Sequence, residues 1–470
     1  MPLLYHHPPP AILSGAKDKM LNVRRYASMR KQSAQHMIPP QFRSVFGDQG
    51  VFGMRRFFDG QLHCIISLDS RIDESQLAKA IRLTLDAEPV LGCQFIPRWW
   101  RPYWQRRVDL DSIELFHLVE TTQPGREILK FMVTPTNLSE HPLVRCRVFR
   151  AQLDTLCIKI DHLAVDAGGA KEYAYLLASI YRRLSDDPSF VPKPNVNGRR
   201  SMRQLGERFS FLDKLRIIRR SFRDITGLCF PRAYWAFPSY SAEASEPTYV
   251  LRHISRNQVL AMKQLGEKHR ATINDMMLTA IFRALFEIIR PNPPVPLRLT
   301  NTVDLRRYLP SGKTEALCNL SSFSYPNIGS ELGSTFEDTL MKVRDNMNAR
   351  KDDFFGLGDM PLGIAIFKCL PFKWACALFQ RAWGQMITTG ILPPDFTNMG
   401  AIDPEQLDFG APKVTATYLT AGRTFPPFFG MGLSGFRESL TLSVGFCQTA
   451  VQKPLVERFF DQIIRELPAL

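Results

Sequence analysis

One histidine in this chain stands four residues ahead of an aspartate, in the run Asp161-His162-Leu163-Ala164-Val165-Asp166-Ala167-Gly168-Gly169. An imidazole titrates near neutrality, so it can take a proton from a hydroxyl or amine that is attacking an electrophile. His162 is the residue here best suited to that role. The spacing alone is weak, since a match this short arises by chance in about one chain of two at this composition. The setting adds to it. Leu156, Ile158, Ile160 and His162 alternate with Cys157, Lys159 and Asp161, which puts the imidazole on the apolar face of a strand, at its end, where the chain turns into a helix. The other interpretation is a core histidine bonded to a backbone carbonyl, with Asp166 as the N-cap of the next helix.

Other chemistries lack their residues. No Gly-x-x-x-x-Gly-Lys-Ser/Thr phosphate loop is present, and Gly168-Gly169 is too short to be one. Gly432-Leu433-Ser434-Gly435 has the wrong spacing for a nucleophile elbow, and no dinucleotide fingerprint follows a strand. His6, His7, His63, His117 and His141 show no metal-ligand spacing with Cys, Asp or Glu, so no metal site is expected. The nine cysteines are scattered singly without a Cys-x-x-Cys pair, which suits a reducing cytoplasm.

The elements around the histidine follow from periodicity. Residues 61–68 read as a strand, Asp73 precedes a helix bearing Leu77, Ala80, Ile81 and Leu85, and Pro89 stops it before a strand at 90–96. Strands are expected at 143–150 and 156–161, and a helix after Gly168-Gly169 to about Leu184. Proline, Asn and Gly between 187 and 198 mark a linker. Further strands are expected at 248–254, 297–303, near 318–324, at 411–420 and at 439–448. Helices are expected at 256–269, 272–289, 335–350, 362–390 and 452–466. Strands and helices in two halves without regular βαβ alternation argue for α/β layers with mixed sheets.

The chain has 470 residues, is 45% hydrophobic and carries a formal charge of +15, enough apolar content for large cores in two lobes. The charge is local. Residues 1–50 hold seven Lys/Arg against two Asp, and residues 196–232 hold ten against three acids, so the rest is nearly neutral and not a polyanion binder. In the second patch Phe211, Leu215, Ile218, Phe222 and Ile225 form one helical stripe, with Arg216, Arg219, Arg220 and Arg223 on the other side. That stripe either docks on the protein itself or, if free, lies on an anionic membrane beside a lipid-like substrate. No stacking aromatics or RNP-type motif accompany the charge, so nucleic acid is not expected. The first forty residues contain no signal-peptide h-region, and Lys368, Pro371, Lys373 and Arg381 interrupt the apolar stretch after Leu362, which argues against a membrane span. A cytoplasmic protein, peripheral to a membrane if the stripe is free, is the expectation.

Several short blocks resemble, in order, the chloramphenicol acetyltransferase-like superfamily of condensation domains, plant-type HxxxD acyltransferases and wax-ester synthases. They are 77–95, 141–150, the motif at 162–166, Asn301-Thr302-Val303-Asp304-Leu305-Arg306, Cys318-Asn319-Leu320, Asn398-Met399-Gly400 and Asp408-Phe409-Gly410. Asp161 stands where condensation domains carry a first histidine, Ala167 where Gly usually follows the motif, and the Trp-Gly of plant enzymes is missing after 410.

The resemblance implies two α/β lobes, each a mixed sheet with helices, forming a V with a central tunnel. The corresponding division is a basic flexible tail at 1–50, a first lobe at 51–186, a basic linker with an amphipathic helix at 187–245, and a second lobe at 246–470. It implies acyl transfer from a thioester to a hydroxyl or amine of a small-molecule or lipid-like acceptor, with His162 as base. Asp166 would be structural, paired with an arginine, for which Arg306 and Arg145 are the candidates. Gly168 and Gly169 would form a turn permitting close backbone approach. No bound cofactor is implied; acyl-CoA or a phosphopantetheinyl carrier protein would be co-substrate. The alternatives are an amide-forming condensation enzyme fed by carrier proteins, and a non-catalytic binding or scaffold member of the fold.

Overall fold

A computed structural model describes residues 38–229, 235–291, 294–358, 360–388 and 392–469. The basic residues expected in a tail before position 38 lie outside them. Most strands collect into two sheets with helices packed on them.

The first sheet runs in the order Val414–Thr420, Gln61–Leu68, Asp154–Asp161, Val144–Arg150, Phe116–Glu120, antiparallel except for the last pair. Asp73 caps the helix Glu74–Ala87 by accepting from the Gln76 N–H, and Leu77, Ala80, Ile81 and Leu85 pack with Leu156, Ile158 and Ile160 beneath it and the helix Ala167–Asp186. On the other face the helix Pro124–Val133 brings Phe131 and Met132 against Cys157 and Phe149. Lys159, buried there, donates through Nζ to the carbonyls of Phe131 (2.5 Å) and Thr134 (2.8 Å), satisfying acceptors that the helix end leaves open. Burial, reinforced by Arg145, pushes its pKa down to about 7.

The second sheet runs Ser321–Ser324, Thr300–Asp304, Asp395–Ile402, Gly430–Phe436, Ser439–Cys447, Pro247–Ile254. Asp395–Ile402 is parallel to both neighbours. The helices Ile273–Ile289 and Lys453–Glu466 form its core, the first held by a capping box between Thr272 and Asp275.

Several boundaries differ from the sequence expectation. Residues 362–390 form two helices, Met360–Cys369 and Phe372–Thr388, because Pro371 cannot sit inside one. The stretch 90–96 begins as a 3₁₀ turn at Pro89–Gly92 and leaves only Cys93–Ile96 as strand, and the strand expected at 297–303 starts at Thr300. The second-half segment Val414–Thr420 completes the first sheet, so the division at 246 does not separate the sheets. No described helix is long and apolar enough to cross a membrane.

The expected tail and linker also contain built structure. Residues Gln41–Arg43 are a strand and Phe46–Met54 a helix whose Asp48 is fully buried. Arg200, counted among the linker charges, is buried as well and forks onto Asp48 at 2.9 and 3.0 Å, while Trp104 donates to the same carboxylate at 2.7 Å. Arg200 also donates to the carbonyls of Leu317 and Ala164, the latter inside the histidine motif. Removing one partner of a buried pair leaves the other charge without compensation. Asp48→Ala is therefore expected to cost about 3–5 kcal/mol of stability, read as a lowered midpoint in denaturant unfolding.

Candidate active site

The strand Asp154–Asp161 ends at Asp161, whose carboxylate is held by Arg55 Nη1 at 2.6 and 2.8 Å and accepts from the Leu163 N–H. The residue occupying the place of a first histidine thus serves as a turn anchor. His162 follows in the turn, half-buried, its N–H donating to the Gly60 carbonyl at 2.7 Å. Its ring meets the edge of Phe58 at 5.6 Å.

The ring's protonation pattern follows from Asn319. The Asn319 Nδ2 donates to the carbonyls of His162 (3.0 Å) and Leu163 (3.1 Å), which can only accept. Its Oδ1 must therefore face His162 Nδ1, 3.1 Å away, and only an Nδ1–H can satisfy it. In the neutral ring Nε2 then carries the lone pair. Asn319 belongs to the Cys318-Asn319-Leu320 block, but nothing in its type or spacing assigned it this task. Gly47 packs so closely that a Cβ there would lie 2.8 Å from the Asn319 side chain and carbonyl.

Asp166 caps the helix Ala167–Asp186 through the Gly169 N–H and also accepts from the Leu320 N–H at 2.7 Å. Arg306 grips both of its oxygens, at 3.0 and 2.9 Å, with both side chains buried. Burial would raise the Asp166 pKa; Arg306 and the two backbone donors outweigh it and hold the carboxyl below its ordinary range. Stability from Asp166 is therefore complete above the usual carboxylate range and is lost as pH falls below that range through its lowered folded value. Its oxygens are occupied by these donors while the imidazole Nδ1 faces Asn319, so Asp166 sets the loop without bonding the ring.

Of the two candidate partners, Arg306 is the one beside Asp166. It sits in the 3₁₀ turn Leu305–Tyr308, capped by Asp304, and also bonds Glu172 and the Cys318 carbonyl. Arg145 is not brought there: its Nη2 donates to Thr136 Oγ1 at 2.6 Å, because its place on the strand Val144–Arg150 turns it toward the loop after Pro124–Val133. Gly168 does permit a close approach, but of Arg306, whose guanidinium would be 2.6 Å from any Cβ. Gly169 is confined by Val165 and the Cys318 carbonyl.

The later blocks lie elsewhere in the fold. Asp408 pairs with Arg182 of the motif helix at 2.9 Å, and Gly400, at φ +74°, turns the chain where the register of Asp395–Ile402 shifts. One cleft and one aromatic group lie near the motif. A cleft of about 750 Å³ is lined by Gly168, Lys171, Glu172, Arg306, Lys313 and Glu88 among others. In the segment beside Phe58, Phe57 belongs to an aromatic group in which Trp383 meets Phe57, Phe323 and Phe428 at 6.0–6.4 Å.

No family model and no curated protein sequence matches the chain. Solved structures do. The first condensation domain of the CDA synthetase is 16% identical, with 90% of this chain and 94% of that one covered at a TM-score of 0.65. A trichothecene 15-O-acetyltransferase from Fusarium sporotrichioides is 13% identical, with 91% and 94% covered at 0.67. The starter condensation domain of rhizomide synthetase, solved with C8-CoA and Leu-SNAC, is 12% identical, with 91% and 93% covered at 0.63. The chain has the two-lobed chloramphenicol acetyltransferase-like fold that condensation domains share.

Two outcomes are expected. Gly168→Ala forces the Arg306 guanidinium off Asp166 and should cost about 1–3 kcal/mol in denaturant unfolding. Glu88 behaves opposite to Asp166: burial pushes its pKa up to about 7, against the lowering bonds from Asn195 and the Leu317 N–H. Its ionisation costs stability as pH rises through that value, so the unfolding midpoint of Glu88→Gln should fall less than wild type between about pH 5 and 8.

Proposed function

We propose that this chain is an acyltransferase that moves an acyl group from a thioester to a hydroxyl or amine acceptor, with His162 as general base. The observation that carries the proposal is the fixed tautomer: Asn319 holds Nδ1–H, which leaves Nε2 as the basic atom of a half-buried ring. In the proposed step the acceptor O–H or N–H gives its proton to Nε2 as its heavy atom bonds to the thioester carbonyl carbon. The tetrahedral intermediate then collapses, the carbon–sulfur bond breaks, and the imidazolium returns the proton to the departing thiolate. Asp166 and Arg306 set the loop and take no proton.

The likeness in fold to condensation domains and to an acetyltransferase supports acyl transfer as the reaction class. An acyl-CoA or a phosphopantetheinyl carrier protein is the donor, and Phe58, edge-on to the His162 ring, favours an apolar acyl chain or acceptor beside the base. The starter condensation domain bound to C8-CoA and Leu-SNAC supports the amide-forming variant of the same step.

The test is release of free thiol from a panel of acyl-CoA and acylated carrier-protein donors, with alcohol and amine acceptors. Wild type should release thiol with at least one pair, and His162→Ala should lose roughly 10²–10⁴-fold of the rate. Equal release by the variant removes His162 as the base. Silence of wild type across all donors leaves the non-catalytic member of the fold.

A further inference from the structure

The helix Phe211–Cys229 turns its apolar stripe outward. It starts from a reciprocal cap, in which Ser210 Oγ accepts from the Asp213 N–H and the Asp213 carboxylate accepts from the Ser210 N–H, both at 3.2 Å. The residues turned inward are Ile217, which joins the core of the second sheet, Ser221, and Arg220, which reaches Asp353 at 3.5 Å. On the opposite side Phe211, Leu215, Ile218 and Phe222 are 74, 47, 43 and 65% exposed. Of the two sequence alternatives for this stripe, docking on the protein itself is thus not the one observed. The fold satisfies the helix through its inner face and leaves a continuous apolar strip outside.

Charge borders that strip on both sides. By helical position Lys214 flanks one edge and Arg219, then Arg216, the other, all exposed. Asp213, the acid at this end, is tied to Ser210 and lies 3.7 Å from Arg216. The helix packs on Met360–Cys369, which passes through Pro371 into a helix carrying exposed Trp374. Trp99, also exposed, stacks edge-on to Trp374 at 5.6 Å, with Lys368 and Lys373 exposed beside them.

We propose that the outer face of Phe211–Cys229 docks the protein on an anionic lipid bilayer. Phe211, Leu215, Ile218 and Phe222 enter the headgroup–acyl boundary while Lys214, Arg216 and Arg219 meet lipid phosphates. The tryptophans at the neighbouring helix junction have the ring type that settles at the same boundary. Charge complementarity selects this occupant over a second copy of the chain, which would set the same cations face to face. The inference is independent of the role of His162.

The full-length protein is floated with phosphatidylcholine vesicles and with vesicles in which phosphatidylserine replaces part of that lipid. Flotation is expected with the anionic vesicles and should weaken with salt. Leu215→Glu with Ile218→Glu should abolish it, and Lys214→Gln with Arg219→Gln should weaken it by about 25-fold, since each cation contributes about fivefold. Both pairs are exposed substitutions and should leave the thermal unfolding midpoint unchanged. Absence of flotation with anionic vesicles, or flotation unaffected by the glutamate pair, overturns the proposal. A wild-type dimer in size exclusion that the glutamate pair makes monomeric assigns the face to a second copy instead.

Discussion

The Asp166 carboxylate is ionised in a place where water does not reach it, and the charge that makes this tolerable comes from the other sheet. Arg306 leaves the second sheet in the turn after Thr300–Asp304 and forks onto a loop that leaves the first. Neither group would be stable there alone, since each has a desolvation cost that only its partner and the surrounding N–H donors offset. The pair is therefore correct in one arrangement of the two sheets only. It holds the cap of the helix Ala167–Asp186, the Cys318 carbonyl and the Leu320 N–H in one place, and Asn319 lies between those last two residues. The position of the imidazole is thus a consequence of how the sheets meet.

A second buried fork repeats the device from the other side. Arg200 joins Asp48 and the Ala164 carbonyl, so the loop between His162 and Asp166 is gripped by two guanidinium groups whose planar donors leave few alternative geometries. An imidazole fixed this firmly does not have to be ordered when a ligand arrives, and pre-set geometry is a large share of what a positioned side chain contributes. The buried polar groups here fix the position of the loop.

Much of the first sheet was legible because its strands and helices carry period-matched apolar residues: Leu156, Ile158 and Ile160 in one case, Leu77, Ala80 and Ile81 in another. The histidine, its aspartate and the pairing of Asp166 with Arg306 could be named from the motif and its order among short blocks. Asn319 could not, because its role depends on contacts 156 and 157 positions away that leave no local periodicity. Arg200 was hidden by its neighbours: among ten basic residues its burial has no signature in composition. Arg145 had the right side chain on the wrong turn of strand. Gly430–Phe436, fully buried yet carrying Gly430, Gly432 and Gly435, escaped assignment because glycines weaken a strand pattern even where close neighbours require them.

The strand Val414–Thr420 gives the chain a particular history. Thr420 bonds His63, 357 positions earlier, so the first sheet keeps an open edge along Gln61–Leu68 until residue 420 has been synthesised. Closing so long a loop is slow, and an apolar edge left unpaired meanwhile is a template for the wrong partner. The first sheet is thus complete only when a second-half strand arrives, and a chain cut between the halves would leave that apolar edge unpaired.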